Sequence, residues 1–460
     1  ETEYILITCL SDKISMLLKI NIIRELGVPK LLLFIIEIMI MILAVLLGLR
    51  TAGALGCGIF AIVAQLIMIF GFQLPPGSAP VTAVLIILSI GIAGGTLQAT
   101  GGIDYLVYIA SKIIERFPKS IIFIAPMIVF VFVFGIGTAN IALSLEPIIA
   151  KTAQKANIQP KKALTASVLT ANLALLCSPA ASATAYIISV LAGYDISMGK
   201  YLSIVLPTAI LSMLLLSVFC TFVGKNDSIS SQKLVELPEE TLPSEFSKNV
   251  KFGVLAFLIC VLGILTFGIF PHLMPSFNVN GKTVNVEMTD IVQFFMYLSA
   301  AINLLLSKIN TSDILTSHIS QSAFGALFAV LGPGWLGATI FNAPNNLKIL
   351  KNDIGQAISS VPWLVIILVS VVAMIVISQT ATASIMVPIV MSLGVPPIYF
   401  VAMVQTLNVN FVIPAQPTLL FAVELDETGR TRPTSFIIPG FFVIIVSVVI
   451  GFTLKLLLGY

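Results

Sequence analysis

Charge is the scarcest property of this chain. Only 10% of its 460 residues are Asp, Glu, Lys or Arg, against roughly 25% in soluble proteins, and none at all lies between Thr51 and Ile103. A water-soluble globular fold is therefore excluded. The two histidines, His272 and His318, stand alone, so neither a metal site nor a histidine relay is indicated. Cys9, Cys57, Cys177, Cys220 and Cys260 are scattered through mostly apolar segments without paired spacing and read as packing residues rather than redox or disulfide partners. No nucleophile–base pair, metal cluster or nucleotide loop appears, which leaves an enzyme without support and calls for no cofactor. A net charge of +3 says nothing in favour of nucleic acid.

What the chain has is hydrophobicity, 58% of residues with a mean hydropathy of +1.08. Its apolar runs are long and do not alternate, so they read as membrane-spanning helices rather than barrel strands. In the first half they fall at about 31–49, 52–73, 81–99, 119–135, 140–152, 162–192 and 201–223. In the second they fall at about 252–270, 291–307, 320–341, 361–378, 384–394, 397–423 and 435–458. Short amphipathic pieces sit at matching places, 104–116 and 343–357. The organisation expected is an N-terminal extension at 1–32, a first repeat at 33–223, a charged linker at 224–250 and a second repeat at 251–460. The extension mixes charges with short apolar runs and lacks the layout of a signal peptide; it reads as an interfacial helix around 13–25 or as an addition unrelated to transport.

Two polar interruptions organise the rest. Residues 135–147 read Gly-Ile-Gly-Thr-Ala-Asn-Ile-Ala-Leu-Ser-Leu-Glu-Pro, and residues 378–384 read Ser-Gln-Thr-Ala-Thr-Ala-Ser, with Pro388 just beyond. Irregular polar backbone survives at membrane depth only where it lines protein or a cavity, and paired interruptions in two halves point to a transporter's binding site. One further break follows in each half, at Cys177–Ser182 and at Pro414–Thr418. Local echoes support duplication: 95–100 resembles 334–339, and Thr170-Ala-Asn172 resembles Thr406-Leu-Asn408.

Lysines set the orientation. Lys151, Lys155, Lys161 and Lys162 carry no neighbouring acid, and Lys112, Arg116 and Lys119 precede 119–152. Both flanks are then cytoplasmic, so 119–152 enters and returns as a re-entrant hairpin. By the same logic 361–394 is a hairpin from the other side, with Lys348 and Lys351 as the weakest points of that placement. Each half has five crossings, an odd number, so the repeats are inverted, and both termini fall outside.

Each tip and each break starts a new helix whose first N–H groups have no internal partner and which carries partial positive charge. Four such starts, Thr138–Asn140, Pro179–Ser182, Thr380–Thr382 and Pro417–Thr418, converge on one centre and suit an anion with two negative ends. No Arg or Lys lies at depth in these segments, so hydroxyl, amide and backbone groups do the recognition. The candidate substrate-binding residues are Gly137, Thr138, Asn140, Ser178, Pro179, Ser182, Gln379, Thr380, Thr382, Pro414, Gln416, Pro417 and Thr418. Plainer readings stand beside this one. Gly137 to Asn140 also reads as a small-residue packing face with Asn140 hydrogen-bonded to a neighbouring helix, and Ser178-Pro179 as a proline kink. Glu146 is either a proton-coupling carboxylate or an interfacial group paired with Lys151 or Lys155. Glu37 has no assigned role.

The chain resembles the bacterial anaerobic four-carbon dicarboxylate transporters of the Dcu A/B type. The resemblance rests on Ile36 to Arg50, 101–107, 137–143, Ala180 to Ala185, 378–383, Pro414 to Leu420 and, most specifically, 422–432 (Ala-Val-Glu-Leu-Asp-Glu-Thr-Gly-Arg-Thr-Arg). It implies a multi-pass carrier of the bacterial inner membrane for fumarate, succinate, malate and aspartate, taking up fumarate or aspartate in exchange for succinate in anaerobic respiration or acting in aspartate uptake. The wider ion-transporter superfamily implies a homodimer with scaffold and moving transport domains and an elevator-type shift. A proton- or sodium-coupled uptake carrier of the same fold is the alternative, and an ion antiporter a further one. Ala139, Glu146 and Thr380 depart from the family's usual pattern.

Overall fold

The computed structural model describes residues 29–222, 245–279, 282–349, 363–413, 416–426 and 429–460. Most of the expected 1–32 extension, most of the linker, Lys351 and the site candidate Pro414 lie outside these residues. The described residues form eighteen α-helices and one two-stranded hairpin. The first half contains α1 (Lys30–Leu66), α2 (Val81–Ala99), α3 (Gly102–Arg116), α4 (Ile121–Ile136), α5 (Asn140–Lys155), α6 (Pro160–Leu175), α7 (Ser182–Leu191) and α8 (Met198–Phe222). The second contains α9 (Lys248–Ile269), α10 (Met288–Leu306), α11 (Thr311–Leu315), α12 (His318–Phe341), α13 (Pro344–Ile349), α14 (Leu364–Val376), α15 (Gln379–Ser392), α16 (Pro397–Met403), α17 (Pro417–Leu425) and α18 (Ile437–Leu457).

Among the described residues the sheet is the one departure from an all-helical fold. Strands β1 (Ser276–Val279) and β2 (Lys282–Asn285) pair antiparallel, with Val279 opposite Lys282. The two residues between them in sequence are Asn280-Gly281, the strongest short hairpin signal, which a reading by long apolar runs passes over.

Eight helices among the described residues are long and apolar enough to cross a membrane. The first, Lys30–Gly71, has 42 residues, about twice the length one crossing needs. Ala52 and Gly53 leave helical geometry inside it, and the arms fold back so closely that a Cβ on Gly48 would stand 2.3 Å from the Gly56 carbonyl oxygen. Two arms therefore occupy the two apolar runs read at 31–49 and 52–73. On α9, Phe252, Leu255, Ile259 and Leu262 are all exposed. They recur at helical spacing, an uncovered apolar stripe of the kind that lipid covers.

The chain folds into two compact units. One draws on Glu1–Val81, Gly325–Val365 and Ser384–Val395. Within it Glu37 and Asn346 are both buried, and the Asn346 amide donates to Glu37 Oε2 at 2.6 Å and to the Ile340 carbonyl at 2.8 Å. Thr339 Oγ1 accepts from Gln65 at 2.6 Å and from the Gly77 N–H at 2.8 Å, while Trp335 donates to the Gly77 carbonyl at 2.8 Å. Asn346→Ala would leave a buried carboxyl oxygen without its donor, which costs about 1–3 kcal/mol. The purified variant is expected to unfold at a clearly lower temperature than wild type, with Glu37→Leu/Asn346→Leu recovering much of the loss. An unchanged melting temperature for Asn346→Ala would show that this pair does not hold the unit together.

The second unit draws on Thr82–Phe324, Ile366–Ala383 and Pro396–Tyr460. Its core packs α4 on α6, α9 on α10 and α8 on α18. Ser447 of α18 donates to Ser212 of α8 at 2.9 Å, and Phe219 stacks on Phe442 with ring centroids 4.1 Å apart. All the site candidates described below belong to this unit.

Candidate functional site

The two polar interruptions turn in the same way. After α4 the chain passes through Gly137 at φ +78°, and after α14 through Ile377 at φ +63°. The Gly137 N–H bonds the Val133 carbonyl, and the Ile377 N–H the Ala373 carbonyl. This is the left-handed C-cap that ends a helix by satisfying a leftover carbonyl. A β-branched residue rarely adopts it, so Ile377 marks a turn imposed by its surroundings. New helices start at once. Thr138 Oγ1 accepts the Asn140 N–H at 3.2 Å in a local turn, and Ser378 Oγ accepts the Ala381 N–H at 3.3 Å, a side-chain cap of the usual kind.

The two breaks differ from each other. The first is a turn at 176–181 between α6 and α7, in which Pro179 and Ala180 lie outside helix, so the new helix starts at Ser182 and not at Pro179. The second follows a 3-10 segment, Val404–Phe411. Three residues per turn place side chains three apart directly over one another. Gln405 and Asn408 are so stacked, and Asn408 Nδ2 donates to Gln405 Oε1 at 2.6 Å. Pro417 then takes the first position of α17, where its missing N–H is of no consequence.

Hydrogen bonds join these four places. Ser178 Oγ donates to the Phe134 carbonyl at 2.6 Å, next to the first tip. Gly137 lies against the backbone of Ala180, where a Cβ would meet the carbonyl oxygen at 2.0 Å. Ser182 and Thr380 share a hydroxyl–hydroxyl bond of 2.9 Å, which brings the first turns of α7 and α15 together. Gln379 Nε2 donates to the Asn172 carbonyl at 3.1 Å and to Asn408 Oδ1. Asn172 Nδ2 donates to Gln416 Oε1 at 3.0 Å, and Asn410 to the Ile377 carbonyl at 3.1 Å. Every group in this network is neutral.

Most of the predicted residues are thus brought together, and a few are not. Gly137, Ser178, Ser182, Gln379, Thr380 and Gln416 are members, and Pro179 is buried in the turn beside them. Asn140 Nδ2 instead donates to Ser322 Oγ of α12 at 2.9 Å. Thr382 is buried, with its hydroxyl given to the Ser378 carbonyl at 2.7 Å. Thr418 is buried and Pro417 exposed. Sequence reasoning missed Asn172, Gln405, Asn408 and Asn410 as site groups. The signal was the echo of Thr170-Ala-Asn172 in Thr406-Leu-Asn408, read as evidence of duplication only.

Glu146 corrects an expectation. It is 0% exposed, and neither carboxylate oxygen has a hydrogen-bond partner among the described residues. The interfacial pairing with Lys151 or Lys155 is not formed, because the side chain is buried in the fold while Lys155 is exposed.

A family model described as "Anaerobic c4-dicarboxylate membrane transporter" matches residues 33–459. C4-dicarboxylate transporter DcuA of Escherichia coli K12 is 31% identical over 434 residues, 91% of this chain and 98% of that protein. DcuA of Wolinella succinogenes is 30% identical, covering 91% and 98%. Anaerobic C4-dicarboxylate transporter DcuB of Escherichia coli O6:H1 is 28% identical, covering 93% and 100%. Among solved structures, Neisseria gonorrhoeae MtrF, described with a class of antimetabolite efflux pumps, shares the fold with a TM-score of 0.53 at 13% identity, over 92% of this chain and 94% of that one. Family, relatives and apolar helices agree, and this chain, a multi-pass membrane transporter and not an enzyme, belongs to the anaerobic C4-dicarboxylate transporter family of DcuA and DcuB.

Proposed function

We propose that the protein exchanges four-carbon dicarboxylates such as fumarate, succinate, malate and aspartate across the bacterial inner membrane. The observation that carries this reading is the meeting of α7 and α15 at Ser182 and Thr380, 2.9 Å apart, within a network of neutral amides. Helix starts present N–H donors and partial positive charge to an anion, and the paired tips give each end of a dicarboxylate its own set. The relatives' names supply the substrate class.

The architecture that goes with this reading has two inverted repeats, 33–223 and 251–460. Each contributes five crossings and one re-entrant hairpin, and both termini lie outside. Matching left-handed turns at Gly137 and Ile377 support the repeat. In a homodimer, the hairpins and broken helices would shift as a transport domain against a scaffold. Gly137, Thr138, Ser178, Ser182, Gln379, Thr380 and Gln416 are the groups nearest this function, while Asn140 and Thr382 act through Ser322 and Ser378.

The test is counterflow. Proteoliposomes loaded with labelled succinate are expected to release it faster when fumarate is added outside, and a panel of dicarboxylates would rank the substrates. No acceleration by any dicarboxylate would refute exchange. Accumulation driven by an ion gradient without a counter-substrate would favour coupled uptake instead.

A further inference from the structure

We propose that Glu146 binds and releases a proton during the transport cycle, so that dicarboxylate movement is linked to proton movement. The inference rests on the carrier reading above and adds the coupling group to it. Glu146 sits in α5, in the arm that follows the first tip, wholly buried with both oxygens unpartnered. An isolated ionised carboxylate out of water is very costly unless it is paired, and intramembrane carboxylates of this kind mark proton relays.

No fixed charge around it answers the need. On its own helix, Lys155 is exposed, and neither it nor Lys151 bonds Glu146. On α6, packed against α5, Lys162 Nζ donates to the Thr221 carbonyl at 2.9 Å, and Lys161 lies one residue before it. On α3, also packed against α5, Asp104, Lys112, Glu115 and Arg116 are exposed, with Tyr105 and Tyr108 half-buried. Glu424 of α17 and Lys119 ahead of α4 are exposed as well, and α4 itself carries no titratable side chain.

The helix packed against it, α6, offers neutral oxygen. The buried hydroxyls of Thr165, Ser167 and Thr170 on α6 also have no hydrogen-bond partner among the described residues. The short connection between α5 and α6 makes them antiparallel. Glu146 is nine residues before the end of α5 and Thr170 ten after the start of α6, so the two stand at nearly the same depth. Such hydroxyls can accept from a protonated carboxyl or donate to an ionised one. No second carboxylate, His or Cys gathers into a metal-holding group with Glu146 among the described residues, which favours a proton over a multivalent cation. The step balances simply: the carboxylate takes one proton from water on one side and returns it on the other.

The test uses the full chain in proteoliposomes with a pH-sensitive dye inside. With the interior alkaline, wild type is expected to accumulate labelled succinate and to carry protons inward with it. Glu146→Gln and Glu146→Leu are expected to lose both responses while still showing succinate–fumarate counterflow. Proton entry with succinate in Glu146→Gln at the wild-type rate would overturn the proposal. So would a wild type that runs counterflow and moves no proton, or one driven by a sodium gradient alone. A wild type without counterflow refutes the carrier reading itself, which keeps the two failures distinct. A wild type that runs counterflow without a proton signal decides against the proposal whatever the variants do.

Discussion

Gly137→Ala is expected to abolish dicarboxylate counterflow and to lower the unfolding temperature of the purified protein. Two effects combine. The residue occupies the left-handed region, φ +78°, which costs a residue with a Cβ about 1–2 kcal/mol. The new Cβ would also fall 2.0 Å from the Ala180 carbonyl oxygen and 2.2 Å from its carbon. Those atoms are backbone and cannot rotate away, so the first tip and the first break must separate, and overpacking of this kind costs roughly 1–3 kcal/mol more. Gly101 provides the comparison. Its φ is +79°, yet nothing lies within 4 Å of a Cβ there. Gly101→Ala should therefore show the conformational cost alone and keep transport. Equal effects of the two substitutions, or normal counterflow in Gly137→Ala, would show that the close approach of tip and break is not required.

Gln379→Glu is expected to raise the half-saturating dicarboxylate concentration by about 100-fold or more, the equivalent of roughly 2.7 kcal/mol. The change is isosteric, so packing is kept. It removes a buried amide that donates to both the Asn172 carbonyl and Asn408 Oδ1. Each acceptor left without a donor costs about 1–3 kcal/mol, and the new carboxylate repels a dianion held by neutral donors. Gln379→Leu should weaken binding less, because it loses the hydrogen bonds without adding charge. Measuring counterflow against external succinate concentration separates the two. A wild-type half-saturation in Gln379→Glu would place the substrate elsewhere in the unit.

The elements were largely legible because their signals are local. Long uncharged runs announced the helices, Gly137 and Ser378-Gln379 the two turns, and prolines the two breaks. The partners were not legible, because hydrogen bonds between positions as distant as Ser182 and Thr380 leave no trace in periodicity. Asn140 looked like a tip donor, yet it caps toward Ser322 of α12. Thr382 looked free, yet its hydroxyl closes its own helical turn. Asn172 and Asn408 were visible as echoes, but only three-dimensional placement shows that Gln379 joins them. The 3-10 winding that stacks Gln405 on Asn408 is likewise beyond hydrophobic pattern, since 3.0 and 3.6 residues per turn are hard to distinguish over eight residues.

The neutrality of the Gln379 network has an electrical consequence. With no fixed cation among its members, a bound dianion brings its whole charge into the site. One-for-one exchange of dianions then moves no net charge and ignores the membrane voltage. Net uptake of one dianion with the one proton on Glu146 carries a single negative charge into a negative interior and works against about 2.3 kcal/mol per 100 mV. Clamping the potential with potassium and valinomycin should leave exchange untouched and slow net uptake, turning a missing charge into a preference for antiport.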